Sequence, residues 1–140
     1  MPKNFPLEST GFNPFGELIG LSFSQLENGH SRCALQVTDK LLNPNRVLHG
    51  GVIYSLADTG MAGALHTDLN EDESCATVEI GIVYLAAVTS GTLTCETRLV
   101  RKSKRIAILQ SDVENDGRLV AKALGTYSVI KARGDGAVAP

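Results

Sequence analysis

NPNRVLHGGVIYSLADTGMAGALHT, residues 43–67, opens on a turn at Asn43-Pro44-Asn45, passes through His49-Gly50-Gly51, and then runs apolar for about four turns of helix around a single carboxylate, Asp58. A helix that is apolar on nearly every face belongs in the middle of a core, where an ionised group is costly unless it has partners or a task. Asp58 is therefore either a structural carboxylate, bonded to a backbone donor or an arginine, or a functional acid. The residues around it favour the second reading. Two glycines at the helix entrance leave the first-turn amides uncovered, so an oxygen carrying partial negative charge can approach those N–H groups and the positive end of the dipole. His49 and Asn43 add polar groups just upstream. Amide donors, a carboxylate and a polar rim suit acyl transfer, in which charge develops on a carbonyl oxygen while a nucleophile or base works at the carbon.

Spacing then speaks to assembly. Gly50 and Asp58 stand eight residues apart, about 12 Å along a helix, too far to touch one carbonyl group. Two copies with antiparallel helices across a two-fold axis would place the helix entrance of one beside Asp58 of the other, forming two equivalent sites. A monomer is then expected to be inactive.

Outward from the helix the pattern is strands. Asn13 to Ile19 reads as a short helix or turn and Leu21 to Glu27 as a strand. Asn28-Gly29 is a hairpin turn, and His30 to Thr38 is the partner strand, with His30 a solvated surface residue. Asp68 to Glu73 is an acidic solvated loop. Strands over Cys75–Val88, Thr92–Lys102, Lys104–Glu114 and Arg118–Lys131 follow, separated by Thr89-Ser90-Gly91, a tight turn near Ser103, and Asn115-Asp116-Gly117. Two strands, a buried helix and four strands make an α+β meander whose curved antiparallel sheet can wrap the helix. One domain over 1–140 is expected, with its core at about 15–131 and flexible ends at 1–10 and 132–140.

Composition excludes several classes. A length of 140 residues with 43% hydrophobic and 20% charged residues suits one globular core. A formal net charge of −2 argues against a general nucleic-acid binder. Cys33, Cys75 and Cys95 are odd in number and widely spaced, without a C-x-x-C pair or His-Glu-x-x-His, so they read as buried free thiols rather than a disulfide framework or zinc site. Met1 to Ser9 lacks a secretory h-region and no run is long enough to span a bilayer, so a cytoplasmic location is expected.

Asn43, His49-Gly50-Gly51 and Leu56-Ala57-Asp58 together resemble the signature of the hotdog-fold thioesterases, most closely the phenylacetyl-CoA thioesterase (PaaI-type) branch. The resemblance extends to Thr77–Leu85, to the basic turn Arg101–Arg105, and to Leu119-Val120-Ala121 with Gly125-Thr126-Tyr127. It implies a hotdog fold of about six antiparallel strands around one long helix, in a homodimer whose sheets join edge to edge, assembled further as a dimer of dimers. It also implies an acyl-CoA thioesterase with no cofactor, coenzyme A being part of the substrate. By position Asp58 would attack the thioester carbon or activate water. The N–H of Gly50 or Gly51 would polarise the carbonyl, Asn43 would orient the water or the carboxylate, and His49 would hold the loop or contact the thioester.

Other positions have two readings. Thr77 aligns with a hydroxyl residue that positions water in some relatives, and is equally a strand threonine. Several relatives carry Ser or Thr one turn after the acid, where this chain has Ala62. Thr59 is expected on another face of the helix, and His66 as a C-terminal cap. Tyr54 and Met61 are expected to line the acyl pocket, with Phe12 and Phe15 covering it. Arg98, Arg101, Lys102, Lys104 and Arg105 are either a solvated hairpin or, with Ser103, a landing site for coenzyme A phosphates. The alternatives are a non-catalytic acyl-CoA sensor and a hotdog enoyl-CoA hydratase, which would want an Asp and a His acting together on a β-carbon.

Overall fold

Among the described residues two helices, α1 (Pro14–Ile19) and α2 (Gly50–His66), accompany six strands: β1 (Ser22–Glu27), β2 (His30–Gln36), β3 (Glu73–Tyr84), β4 (Thr92–Lys102), β5 (Ile106–Asn115) and β6 (Arg118–Lys131). The structure, a computed structural model, describes residues 12–132. The expected flexible ends fall outside these residues except at Ala132, whose N–H donates to Asp72 O at 2.6 Å.

All six strands form one antiparallel sheet in the order β1-β2-β4-β5-β6-β3, and α2 lies across one face of it. Boundaries shift from expectation where side chains close turns. Ser103 Oγ bonds both the O and the N–H of Ile106, so β5 starts at Ile106 rather than Lys104. β2 stops at Gln36 because a 3₁₀ turn over Asp39–Leu41 follows. β3 starts two residues early, at Glu73, and ends at Tyr84 rather than Val88. Among the described residues no helix is long and apolar enough to cross a membrane.

α2 sits close to the sheet because it carries glycine where it crosses. A Cβ on Gly60 would lie 2.9 Å from Thr97 Oγ1 and 3.4 Å from the Sγ atoms of Cys33 and Cys95. Those two thiols face each other across β2 and β4. Beneath the helix the buried hydroxyls are satisfied: Ser31 Oγ donates to Gly60 O at 2.7 Å, and Thr97 and Ser111 share a bond of 2.7 Å. Around them Leu56, Met61, Leu65, Leu109 and Tyr127 are fully buried, each worth about 1.5–3 kcal/mol of apolar transfer. Gly60→Ala should therefore destabilise the protein by about 1–3 kcal/mol through overpacking, although alanine is the better helix former by about 1 kcal/mol. A thermal melt checks this; a raised melting temperature would show that the helix has room to move off the sheet.

The sheet's two edges differ. β1 is six residues long and irregular between Phe23 and Gln25, whereas β3 is twelve residues long with Val78 and Val83 each 60% exposed. A long edge strand carrying apolar side chains is a template for pairing with another strand.

β3 also contains a bulge. Thr77 pairs with Tyr127 but Glu79 pairs with Thr126, leaving Val78 as the extra residue. Strand side chains alternate faces, so without the bulge Thr77 and Ile80 could not both face α2. The bulge turns Cys75 and Thr77 inward before it and Ile80, Ile82 and Tyr84 inward after it.

Candidate active site

Asp58 is half-buried and lies on the one stripe of α2 that the sheet leaves uncovered. Its carboxylate borders a cavity of about 400 Å³ between α2 and the inner face of β3, lined also by Ala62, His66, Cys75, Thr77 and Tyr127 with Phe12 at the rim. Thr77 Oγ1 donates to Asp58 Oδ1 at 2.9 Å, and the Tyr127 hydroxyl donates to the same oxygen. Thr59 borders the cavity too, contrary to expectation: a neighbour on a helix is turned by only about 100°, and the opening is wider than that. Cys75, expected to be a buried thiol, is half-buried there, 4.0 Å from His66 Nδ1. His66 lies 2.9 Å from Ala62 O through the same nitrogen, which fits its expected place among the last carbonyls of the helix.

The helix entrance is built differently from the reading of its glycines. His49 is the N-cap: its Nδ1 accepts the Gly51 N–H at 2.8 Å, so that amide is occupied. Val52 N–H bonds back to His49 O at 2.9 Å. The Gly50 N–H has no acceptor among the described residues, which leaves it as the first-turn donor open to a ligand. Asn43 Oδ1 accepts from Asn45 N–H at 2.9 Å and Val47 N–H at 3.3 Å, folding the loop that delivers His49. The Tyr84 hydroxyl donates to Gly50 O at 2.9 Å and its ring lies 3.3 Å from where a Gly50 Cβ would stand. Burial, and then the neighbouring Tyr54, raise the Tyr84 phenol above its ordinary value.

No residue of the 43–51 segment borders the Asp58 cavity. Within one chain the amide donor and the carboxylate therefore stay apart, as the eight-residue spacing requires.

Of the residues expected at the ligand, Met61, Lys102 and Tyr54 do not border the Asp58 cavity. Met61 is fully buried with its Sδ against Gly125, because it lies on the sheet-facing side of α2 rather than the stripe of Asp58. Lys102 is only 19% exposed, with Nζ 3.5 Å from Glu73 and 3.9 Å from Asp68, since the bulge at Val100 turns it inward toward the acidic loop. Tyr54 is half-buried near Tyr84 and does not border the Asp58 cavity. Arg101, Ser103, Lys104 and Arg105 are exposed, and Ser103 serves the turn. Lys104 and Arg105 join Lys131 at a hollow of about 730 Å³ beside Asp72 and Glu73, while Arg98 borders a different hollow with Gln110 and Asp112. His30, expected to be simply solvated, pairs with Glu96. Burial raises Glu96, but hydrogen bonds and charge from His30 and Arg32 outweigh it and hold the carboxyl below its usual range.

Tyr84 and Tyr127 carry the site's geometry yet had no role in the sequence reading. Their signal was register: both fall on inward-facing positions of the β3–β6 ladder, and the hydroxyl of the buried Tyr127 needs a partner.

Residues 45–122 match the family described as the Thioesterase superfamily, a span that includes the helix entrance, Asp58 and Thr77. The chain belongs to that superfamily. Within it, the chain is 34% identical over 114 residues to a Saccharolobus solfataricus protein named "Putative esterase", covering 81% of this chain and 75% of that one. It is 26% identical over 118 residues to the 1,4-dihydroxy-2-naphthoyl-CoA hydrolase of Listeria monocytogenes, covering 84% and 96%. The solved thioesterase of Haemophilus influenzae superposes with a TM-score of 0.85 at 26% identity, over 93% of this chain and 94% of that one. The sheet and long helix are thus a hotdog fold, and the protein is a hydrolase of the thioesterase kind.

Proposed function

We propose that this thioesterase hydrolyses an acyl-CoA to the free acid and CoA in sites shared by two chains. Asp58 of one chain acts at the thioester carbon, as nucleophile or as base for a water, and the Gly50 N–H of the second receives the carbonyl oxygen. The observation that carries this reading is the separation, within one chain, of a cavity-facing carboxylate from a helix-entrance amide, the Gly50 N–H, that has no acceptor among the described residues. The long edge of β3 supplies the strand along which two copies would pair. Asn43 and His49 then serve by shaping the loop that presents Gly50.

The acyl group would occupy the Asp58 cavity. The nucleotide phosphates would lie at the Lys104, Arg105 and Lys131 hollow, whose Glu73 stands four residues along β3 from Thr77, about 13 Å by strand rise. That leaves room for the thiol-bearing arm between them. Reversing both charges, Lys104→Glu with Arg105→Glu, should raise KM for CoA thioesters about three- to tenfold with kcat kept, the scale of exposed ion pairs. An unchanged KM would move the nucleotide elsewhere.

Thiol release from a panel of acyl-CoA esters tests the reaction. Turnover, with free acid formed in step with the thiol, is the expected result. Tight acyl-CoA binding with no release would make the protein a carrier or sensor.

A further inference from the structure

Resting on the thioester chemistry just proposed, we infer that Tyr127 is a positioning residue: with Thr77 it fixes Asp58 through one carboxylate oxygen, Oδ1, and so makes Oδ2 the working atom. Thr77 and Tyr127 are direct partners in the β3–β6 ladder, and both hydroxyls donate to Oδ1. The Tyr127 hydroxyl also lies 2.9 Å from the backbone O of Asp58, so it anchors both ends of the residue. Asp58 Oδ2 accepts no hydrogen bond among the described residues. An aspartate on a half-exposed helix stripe could be solvated by water alone; two hydroxyls brought to one of its oxygens do something water does not, which is to fix its direction.

The holding parts are rigid. Tyr127 is 1% exposed, and its ring is wedged where Gly125 leaves space: a Cβ on Gly125 would lie 2.5 Å from Met61 Sδ and 3.3 Å from the Tyr127 ring. Burial first, and the bond to Asp58 second, push the Tyr127 phenol well above its ordinary value, so it stays a proton donor across the working range. The bulge at Val78 lets Thr77 face the same oxygen while Ile80 still packs toward α2. Reaction rates respond steeply to misplacement of an attacking or proton-accepting atom, which is why a fixed Oδ2 should act on turnover rather than on binding.

The test is steady-state hydrolysis by the full chain of whichever acyl-CoA it cleaves fastest, with Tyr127→Phe, Thr77→Val, Thr77→Ser and the Tyr127→Phe/Thr77→Val double variant. Tyr127→Phe keeps the buried ring and should lower kcat about tenfold to hundredfold, the scale of one hydrogen bond to a charged group, with KM changed less than about twofold. Thr77→Val should fall about tenfold, Thr77→Ser should recover most of it, and the double variant should fall by less than the product of the singles because both donors serve one oxygen. Thermal melts of the same variants identify any loss that merely follows unfolding. Wild-type kcat in Tyr127→Phe, losses that track the melts, or a double variant equal to the full product would overturn the inference while the thioesterase reading stands. No release by the wild type would overturn both.

Discussion

Asp58→Asn is expected to lower thiol release from acyl-CoA by about 10²–10⁴-fold, the range for removing a general base, while leaving the fold and the association of chains intact. The substitution is close to isosteric, and the structure fixes how the amide would sit. Thr77 and Tyr127 both donate to Oδ1, so the carbonyl of an asparagine would face them and its NH₂ would take the place of Oδ2. That nitrogen has neither the basicity nor the nucleophilicity of a carboxylate oxygen. A loss well above about 10² also separates chemistry from placement, since one lost orienting hydrogen bond is expected to cost tenfold to hundredfold. Retained activity in Asp58→Asn would remove the carboxylate from the mechanism.

The second large effect is at the helix entrance. Gly50 is the first residue of α2, the position where proline is best tolerated, and His49 before it is already extended at φ −60°, ψ 129°. Gly50→Pro therefore removes the open N–H with little cost to the helix, and should lower kcat about 10²–10³-fold, as for one oxyanion donor. Gly50→Ala is the control, because its Cβ meets the same Tyr84 ring at 3.3 Å but the N–H remains. Alanine should lose much less than proline. Equal losses would mean that the crowding of Tyr84, not the amide, matters at this position.

Much of this arrangement was legible before any coordinates. The apolar helix with one acid, the glycine pair before it, the hairpin at Asn28-Gly29 and the strand bounds of β4 and β6 follow from periodicity and turn chemistry, which are local. What was hidden depends on register. One extra residue at Val78 decides that Thr77 faces α2, and a similar shift at Val100 sends Lys102 toward Glu73 instead of outward. A bulge has no dependable sequence signature. Met61 and Asp58 are only three residues apart, yet one is core and the other borders a cavity, because a helix apolar nearly all round does not announce which face the sheet will cover. That the Gly51 amide is occupied likewise depends on His49's ring, which folds back to accept from it.

Mixing Asp58→Asn chains with Gly50→Pro chains tests the shared site most directly. With sites shared as proposed, each homodimer would lack one half of both sites, whereas a heterodimer would join an intact Asp58 from one chain to an intact Gly50 N–H from the other. A re-associated equal mixture, with heterodimers confirmed by mass or tag capture, should therefore regain about one quarter of wild-type thiol release. Chains carrying both substitutions, mixed with wild type, should form heterodimers with no working site. Recovery in the first mixture and none in wild-type–double-variant heterodimers is the predicted result; no recovery in confirmed Asp58→Asn/Gly50→Pro heterodimers, or half activity in the second kind, would place both groups within one chain and contradict the shared site.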